Sequence, residues 1–160
     1  MINDKLVIAV DFDGTIATRS FPEVGNLIFG ADVIIRRLHG DGHRIIINTC
    51  RTGKMEGMAQ DFLDENLIPY DFINANLPEL ITEYKQDCRK ISADVYIDDK
   101  NLFGIPSWEE IYDRLQDIHE DLLDEQAKIR ERRMDIIAQN GNDGLHYTQE
   151  HPLTPDESYE

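Results

Sequence analysis

Leu6-Val7-Ile8-Ala9-Val10-Asp11-Phe12-Asp13-Gly14-Thr15 is the stretch on which the reading of this chain turns. Five apolar residues, several of them β-branched, run straight into two carboxylates, a glycine and a threonine. A continuous apolar run of that length reads as a strand buried on both faces, the habit of a parallel sheet. The carboxyl end of such a strand is where open α/β sheets place their ligand crevice. Asp11 and Asp13 lie one residue apart at that end, and a turn at Gly14 lets both face one site. Two like charges about 4 Å apart repel by about 4 kcal/mol at an effective dielectric of about 20. Proximity of that kind calls for a shared proton or an intervening cation. Solvated turn acids are the plain alternative, and the flanking residues argue against it.

Outward from this run, the chain alternates. Residues 16–30 hold Phe21-Pro22 and two glycines and read as a loop or short flap. A helix is expected over 31–39, closed by Gly40-Asp41-Gly42. A second buried strand covers 44–48, ending at Thr49-Cys50-Arg51-Thr52-Gly53. A helix over 55–66, a short strand over 70–73, a helix over 78–88 and a fourth strand over 94–97 follow, the last ending at Asp98-Asp99. Strand and helix in strict alternation imply an α/β fold with a parallel sheet, right-handed crossovers and helices on both faces. The segment between the first strand and the next helix is too short for a separate lid domain.

From Trp108 a long helix is expected to run to residue 139, with Ser107 as N-cap and Glu110 three residues on. Trp108, Leu115, Leu122, Ile129 and Ile136 recur every seven positions, interleaved by Ile111, Ile118, Glu125 and Arg132. The first half suits packing on the sheet. The second half, 124–139, either pairs with a second copy as a short coiled coil, making a homodimer through the C-terminal helix, or is a solvated helix. Residues 140–160 are polar, carry Pro152 and Pro155 and lack Lys and Arg, and read as a disordered tail. The organisation is thus a core over 1–123, a helical extension over 124–139 and a tail over 140–160.

Acids outnumber Lys and Arg 32 to 16, a formal charge of −16. That argues against an extended nucleic-acid surface, which needs a basic footprint, and suits a cation or small substrate drawn to a local pocket. The two cysteines, Cys50 and Cys88, form no Cys-x-x-Cys motif, and no apolar stretch can span a bilayer. The expectation is a reduced, cytoplasmic protein without membrane contact.

Polar groups gather at the expected strand ends. The Thr49 hydroxyl and neighbouring backbone N–H groups suit a phosphate oxygen. Asp11, the Asp13 backbone carbonyl and one of Asp98 or Asp99 suit Mg²⁺, which takes oxygen ligands at about 2.0–2.1 Å. A lysine is wanted against so much negative charge, and Lys90 and Lys85 are the candidates. Lys90 precedes Asp98 by eight residues, and an extended run of that length would carry it roughly 26 Å away, so the chain must fold back before the strand. Arg51 is placed to grip a substrate anion in bidentate fashion, or else to pair with an acid. Gly14, Thr15 and Cys50 complete the candidate substrate-binding set. Phe12, Phe21 and Phe29 are candidates to stack on a base, or to pack. Cys50 is not followed by a Cys-x5-Arg pattern, so a cysteine phosphatase is rejected.

Asp11-Phe12-Asp13-Gly14-Thr15, Thr49 after an apolar strand, an upstream lysine and Asp98-Asp99 together resemble the four motifs of the haloacid dehalogenase (HAD) superfamily. The resemblance covers about residues 5 to 112. Arg89 to Asp99 is similar to the corresponding run of the 5′(3′)-deoxyribonucleotidases. Closer still are small capless HAD proteins of bacteria and phages, which share the Gly104-Ile105-Pro106-Ser107-Trp108 pattern. The resemblance implies a Rossmann-like three-layer sandwich, the HAD core, without a large cap. It also implies an Mg²⁺-dependent phosphomonoester hydrolase acting on a small phosphorylated substrate, a nucleotide or another ester. Asp11 would be the nucleophile, forming an aspartyl phosphate. Asp13 would be general acid and then base, Thr49 and Lys90 would complete the catalytic set, and Asp11, Asp13, Asp98 and Asp99 would hold the metal. A signalling receiver domain shares these residue types in another order along the chain. A binding or structural protein on the same fold, dimerising through its C-terminal helix, is the other alternative.

Overall fold

The structure is a computed structural model that describes residues 4–141. Its elements follow in the order β1 (Val7–Val10), α1 (Ala31–Gly40), β2 (Arg44–Ile47), α2 (Lys54–Glu65), β3 (Phe72–Ile73), α3 (Pro78–Tyr84), β4 (Val95–Ile97) and α4 (Trp108–Gly141). The four strands form one sheet of order β3-β2-β1-β4, with every pairing parallel. This is a Rossmann-like α/β fold.

Hydrophobicity explains the layers. Every β1 residue is buried, which suits a strand covered on both faces. Ile8 and Val10 pack with Ile35 and Leu38 of α1, Leu63 of α2, and Trp108, Ile111 and Leu115 of α4. Val7, Ala9 and Ile46 face the other way, onto Leu77, Leu80 and Ile91 around α3. Alternate residues of one strand thus serve two separate cores.

The strand order carries the functional consequence. From β1 the chain steps to β2 and then β3, and afterwards returns to place β4 on the far side of β1. The order therefore reverses between β1 and β4, the switch point outside which open parallel sheets form a crevice. In register, Val10 lies opposite Ile97, and the Asp11 N–H donates to the Ile97 carbonyl at 2.9 Å. The next residues along, Asp11 and Asp98, emerge side by side.

Residues 11–30 join β1 to α1 as a loop with two isolated bridges, Asp13 to Ala17 and Ala17 to Leu27. No domain is inserted there. The third helix is shorter than its sequence suggests. It stops at Tyr84, where Lys85 takes a left-handed conformation at φ 56. The next segment is instead fixed by the buried Asn76. Its Nδ2 donates to Asp87 Oδ1 and the Cys88 carbonyl, and its Oδ1 accepts from the Ser92 N–H.

The chain divides into two units, Met1–Leu123 and Asp124–Glu160. The start of α4 belongs to the first, capped as its sequence predicts: Ser107 Oγ accepts from the Glu110 N–H while Glu110 Oε2 accepts from the Ser107 N–H. In the second unit Ile129, Met134, Ile136 and Ile137 are exposed. The tail expected over 140–160 falls, from residue 142 on, outside the described residues. No helix among the described residues is long and apolar enough to cross a membrane.

Candidate active site

Carboxylate oxygens of Asp11, Asp98 and Asp99 lie within 4.8 Å of one another at the switch point. Asp11 is buried. Loss of water pushes its carboxyl up to about 6, with the nearby Asp98 and Asp99 charges adding to the rise and Lys100 opposing it. Six-coordinate Mg²⁺ with ligands at about 2.0–2.1 Å sets adjacent oxygens about 2.9 Å apart and opposite ones about 4.2 Å apart. Three hard oxygen donors gathered within 4.8 Å of one another suit such an ion in kind. A divalent cation would also relieve the mutual repulsion that burial magnifies.

Thr15 ties the two strand ends together. Its hydroxyl donates to Asp11 Oδ2 at 3.3 Å and accepts from the Asp99 N–H at 3.1 Å. The residue is fully buried, and its carbonyl accepts from the Trp108 indole N–H at 3.3 Å. Thr15 therefore braces the site and does not face a substrate, which corrects the sequence expectation. The backbone of Gly14 is likewise engaged. Its N–H donates to the Ala17 carbonyl at 2.7 Å and is spent within the loop.

A cavity of about 390 Å³ opens beside Asp11, lined by Asp13, Arg19, Phe21, Thr49, Cys50 and Lys100. Thr49 stands on the loop after β2, where its hydroxyl accepts from the Arg51 N–H at 3.2 Å and keeps its own proton to donate. That loop is held by Asn74, whose Oδ1 accepts from the Thr49 N–H and whose Nδ2 donates to the Arg51 carbonyl and Glu56. Asn74 sits in the left-handed region at φ 49, which Asn tolerates better than most residues.

No family model and no curated protein matches this chain. Among solved structures, a conserved protein coded by a locus of Bacteroides thetaiotaomicron is 34% identical. The match covers 71% of this chain and 91% of that one, at a TM-score of 0.65. The chain belongs to the family of that conserved protein. Its α/β architecture is thus seen in a second family member.

One sequence expectation changes here, and two open alternatives are decided. Lys90 is not among the residues lining the Asp11 cavity. The chain does fold back, and the Lys90 ammonium lies 4.8 Å from the Tyr96 ring centre, but it lines a different cavity with Asn76, Leu80 and Tyr84. The lysine beside Asp11 is Lys100. Asp11 and Asp99 hold its ammonium well charged, and Nζ lies 3.5 Å from Asp99 Oδ1. Arg51 does not grip an outside anion, because it is 1% exposed and its guanidinium grips Asp13. Phe12 is core, packed edge-on against Phe62 at 5.6 Å, whereas Phe21 lines the cavity. Arg19, paired with Asp99, was missed altogether, and Lys100 was passed over although it directly follows the acid pair.

Proposed function

We propose that this chain is an Mg²⁺-dependent phosphomonoester hydrolase that works through an aspartyl phosphate on Asp11. The observation that carries the reading is the convergence of the Asp11, Asp98 and Asp99 carboxylates at the switch point, beside an open cavity with Thr49. A bound cation there supplies charge neutralisation and alignment of the phosphoryl group. Asp11 attacks phosphorus with one carboxylate oxygen while the bond from phosphorus to the ester oxygen breaks. Asp13 protonates the departing oxygen and then takes a proton from the water that hydrolyses the acyl phosphate. The Thr49 hydroxyl donates to a phosphoryl oxygen. Lys100 and Arg19 set positive charge at the cavity where the phosphoryl dianion binds, the role the sequence first assigned to Lys90.

Among the described residues no separate domain covers the cavity. A small ester, or a phosphate on a larger molecule, therefore meets the same groups. The reading is tested by turnover of p-nitrophenyl phosphate with Mg²⁺, with EDTA, and by Asp11→Asn, followed by a panel of nucleotides, sugar phosphates and phosphopeptides. Turnover that needs both Mg²⁺ and Asp11 supports it. Equal rates in all three conditions would overturn it.

A further inference from the structure

Arg51 is the largest of the fully buried side chains, and its charge is fully engaged. Nε donates to Asp13 Oδ2 and Nη2 to Asp13 Oδ1, each at 2.7 Å. The same guanidinium donates to the Pro22 carbonyl at 3.0 Å and the Glu23 carbonyl at 2.7 Å. It lies between two rings, Phe12 at 5.3 Å and Phe21 at 5.5 Å. Phe12 is fully buried. Phe21 is exposed and lines the same cavity as Asp13. A planar fork of five donors can hold a carboxylate edge-on and still reach two carbonyls, and an ammonium cannot reproduce that geometry.

We propose that Arg51 is a positioning residue that orients the Asp13 carboxylate and ties it to the Phe21–Glu23 loop, so that the acid and the loop at the cavity mouth move as one. Its catalytic half rests on the phosphatase reading, in which Asp13 is the proton donor. Gripped through both oxygens, Asp13 is fixed in orientation, and its oxygens keep a lone pair free to carry the proton that passes to the leaving group. A shift of the loop shifts the guanidinium, and with it the acid. Binding that draws Phe21 onto a substrate would therefore set the proton donor at the same moment.

Two measurements test this on the full chain. The first compares Arg51→Lys with the wild type, in Mg²⁺, on p-nitrophenyl phosphate and on a simple alkyl phosphate. The nitrophenolate leaves without help from a proton and the alkoxide does not. The expected result is a kcat/KM on the alkyl ester, which reports only the first transfer, that falls at least about tenfold further than on the aryl ester, the pattern of a misplaced general acid. An equal fall on both esters, or none, would overturn the catalytic half. The second measures hydrogen exchange of peptides covering residues 20–25 in the wild type and in Asp13→Ala. Faster exchange in the variant is expected, and unchanged exchange would overturn the coupling. That second readout needs no activity. If the wild type hydrolyses neither ester, the phosphatase reading fails while exchange still decides the coupling.

Discussion

Gly14 and Asp99 approach so closely that a Cβ added to Gly14 would lie 1.9 Å from Asp99 Oδ2. Gly14 also stands at φ +97, a conformation side chains resist. The residue is thus required twice, once for its backbone and once for the space it yields to a carboxylate of the triad. Gly14→Ala is expected to cost about 1–3 kcal/mol in backbone strain alone and to push Asp99 out of place. Thermal unfolding should show a lowered Tm, and Mg²⁺ titration a weakened affinity. A variant with unchanged Mg²⁺ affinity would mean that Asp99 is no ligand.

Trp108 is the chain's single tryptophan. Its indole N–H reaches the Thr15 carbonyl, and the Thr15 hydroxyl spans Asp11 and Asp99. A cation drawn between those carboxylates should disturb this chain of contacts. Tryptophan emission is expected to change saturably on adding Mg²⁺, and Asp11→Asn or Asp98→Asn should suppress the change. A flat titration in the wild type would contradict the placement of the ion.

His43 is buried at the other end of β1, where its Nδ1 accepts from the Leu6 N–H at 3.1 Å. Burial, chiefly, and the neighbouring His119 and Lys5 hold its pKa below 6.5, while Asp41 opposes them. The unfolded chain therefore takes up a proton more readily than the folded one. This contribution to stability is complete above pH 6.5 and is lost as pH falls through the lower folded value. Protonation would also turn Nδ1 into a donor facing a donor. Unfolding measured between pH 8 and 5 should show stability falling on the acid side, with a smaller fall in His43→Gln. Equal slopes would contradict this.

How much of this was legible in the sequence depends on the reach of each interaction. The apolar run into Asp11 and the alternation after it set β1, the parallel sheet and the two acid-bearing strand ends, because apolar runs and the succession of elements along the chain are local signals. The partners of those acids were not local. Arg51 lies 38 residues from Asp13, and Arg19 lies 80 residues from Asp99. Only the folded loop reveals which cation meets which acid. The resemblance points to Lys90 although its eight-residue separation from Asp98 counts against it; Asn76 holds Cys88 and Ser92 on either side of it, and the Lys90 ammonium lies over the Tyr96 ring. Thr15 stands in the candidate substrate-binding set by its place beside Asp13 and Gly14. Its full burial between two strands and Trp108 could not be seen from spacing.

In the second unit, the seven-residue spacing of Ile129 and Ile136 puts exposed apolar surface on one helix. If that surface pairs with a second copy, light scattering should give a dimer for the full chain and a monomer for Ile129→Glu/Ile136→Glu. A monomeric wild type would leave the solvated-helix alternative.

The central claim is that Asp11 carries the phosphoryl group, and the direct measurement is chemical trapping. The protein would be quenched during turnover with Mg²⁺, reduced with borohydride and mapped by mass spectrometry. The account predicts conversion of the residue-11 carboxyl to an alcohol, dependent on both substrate and Mg²⁺. Turnover with Asp11 unmodified, or with the modification at another carboxylate, would contradict it.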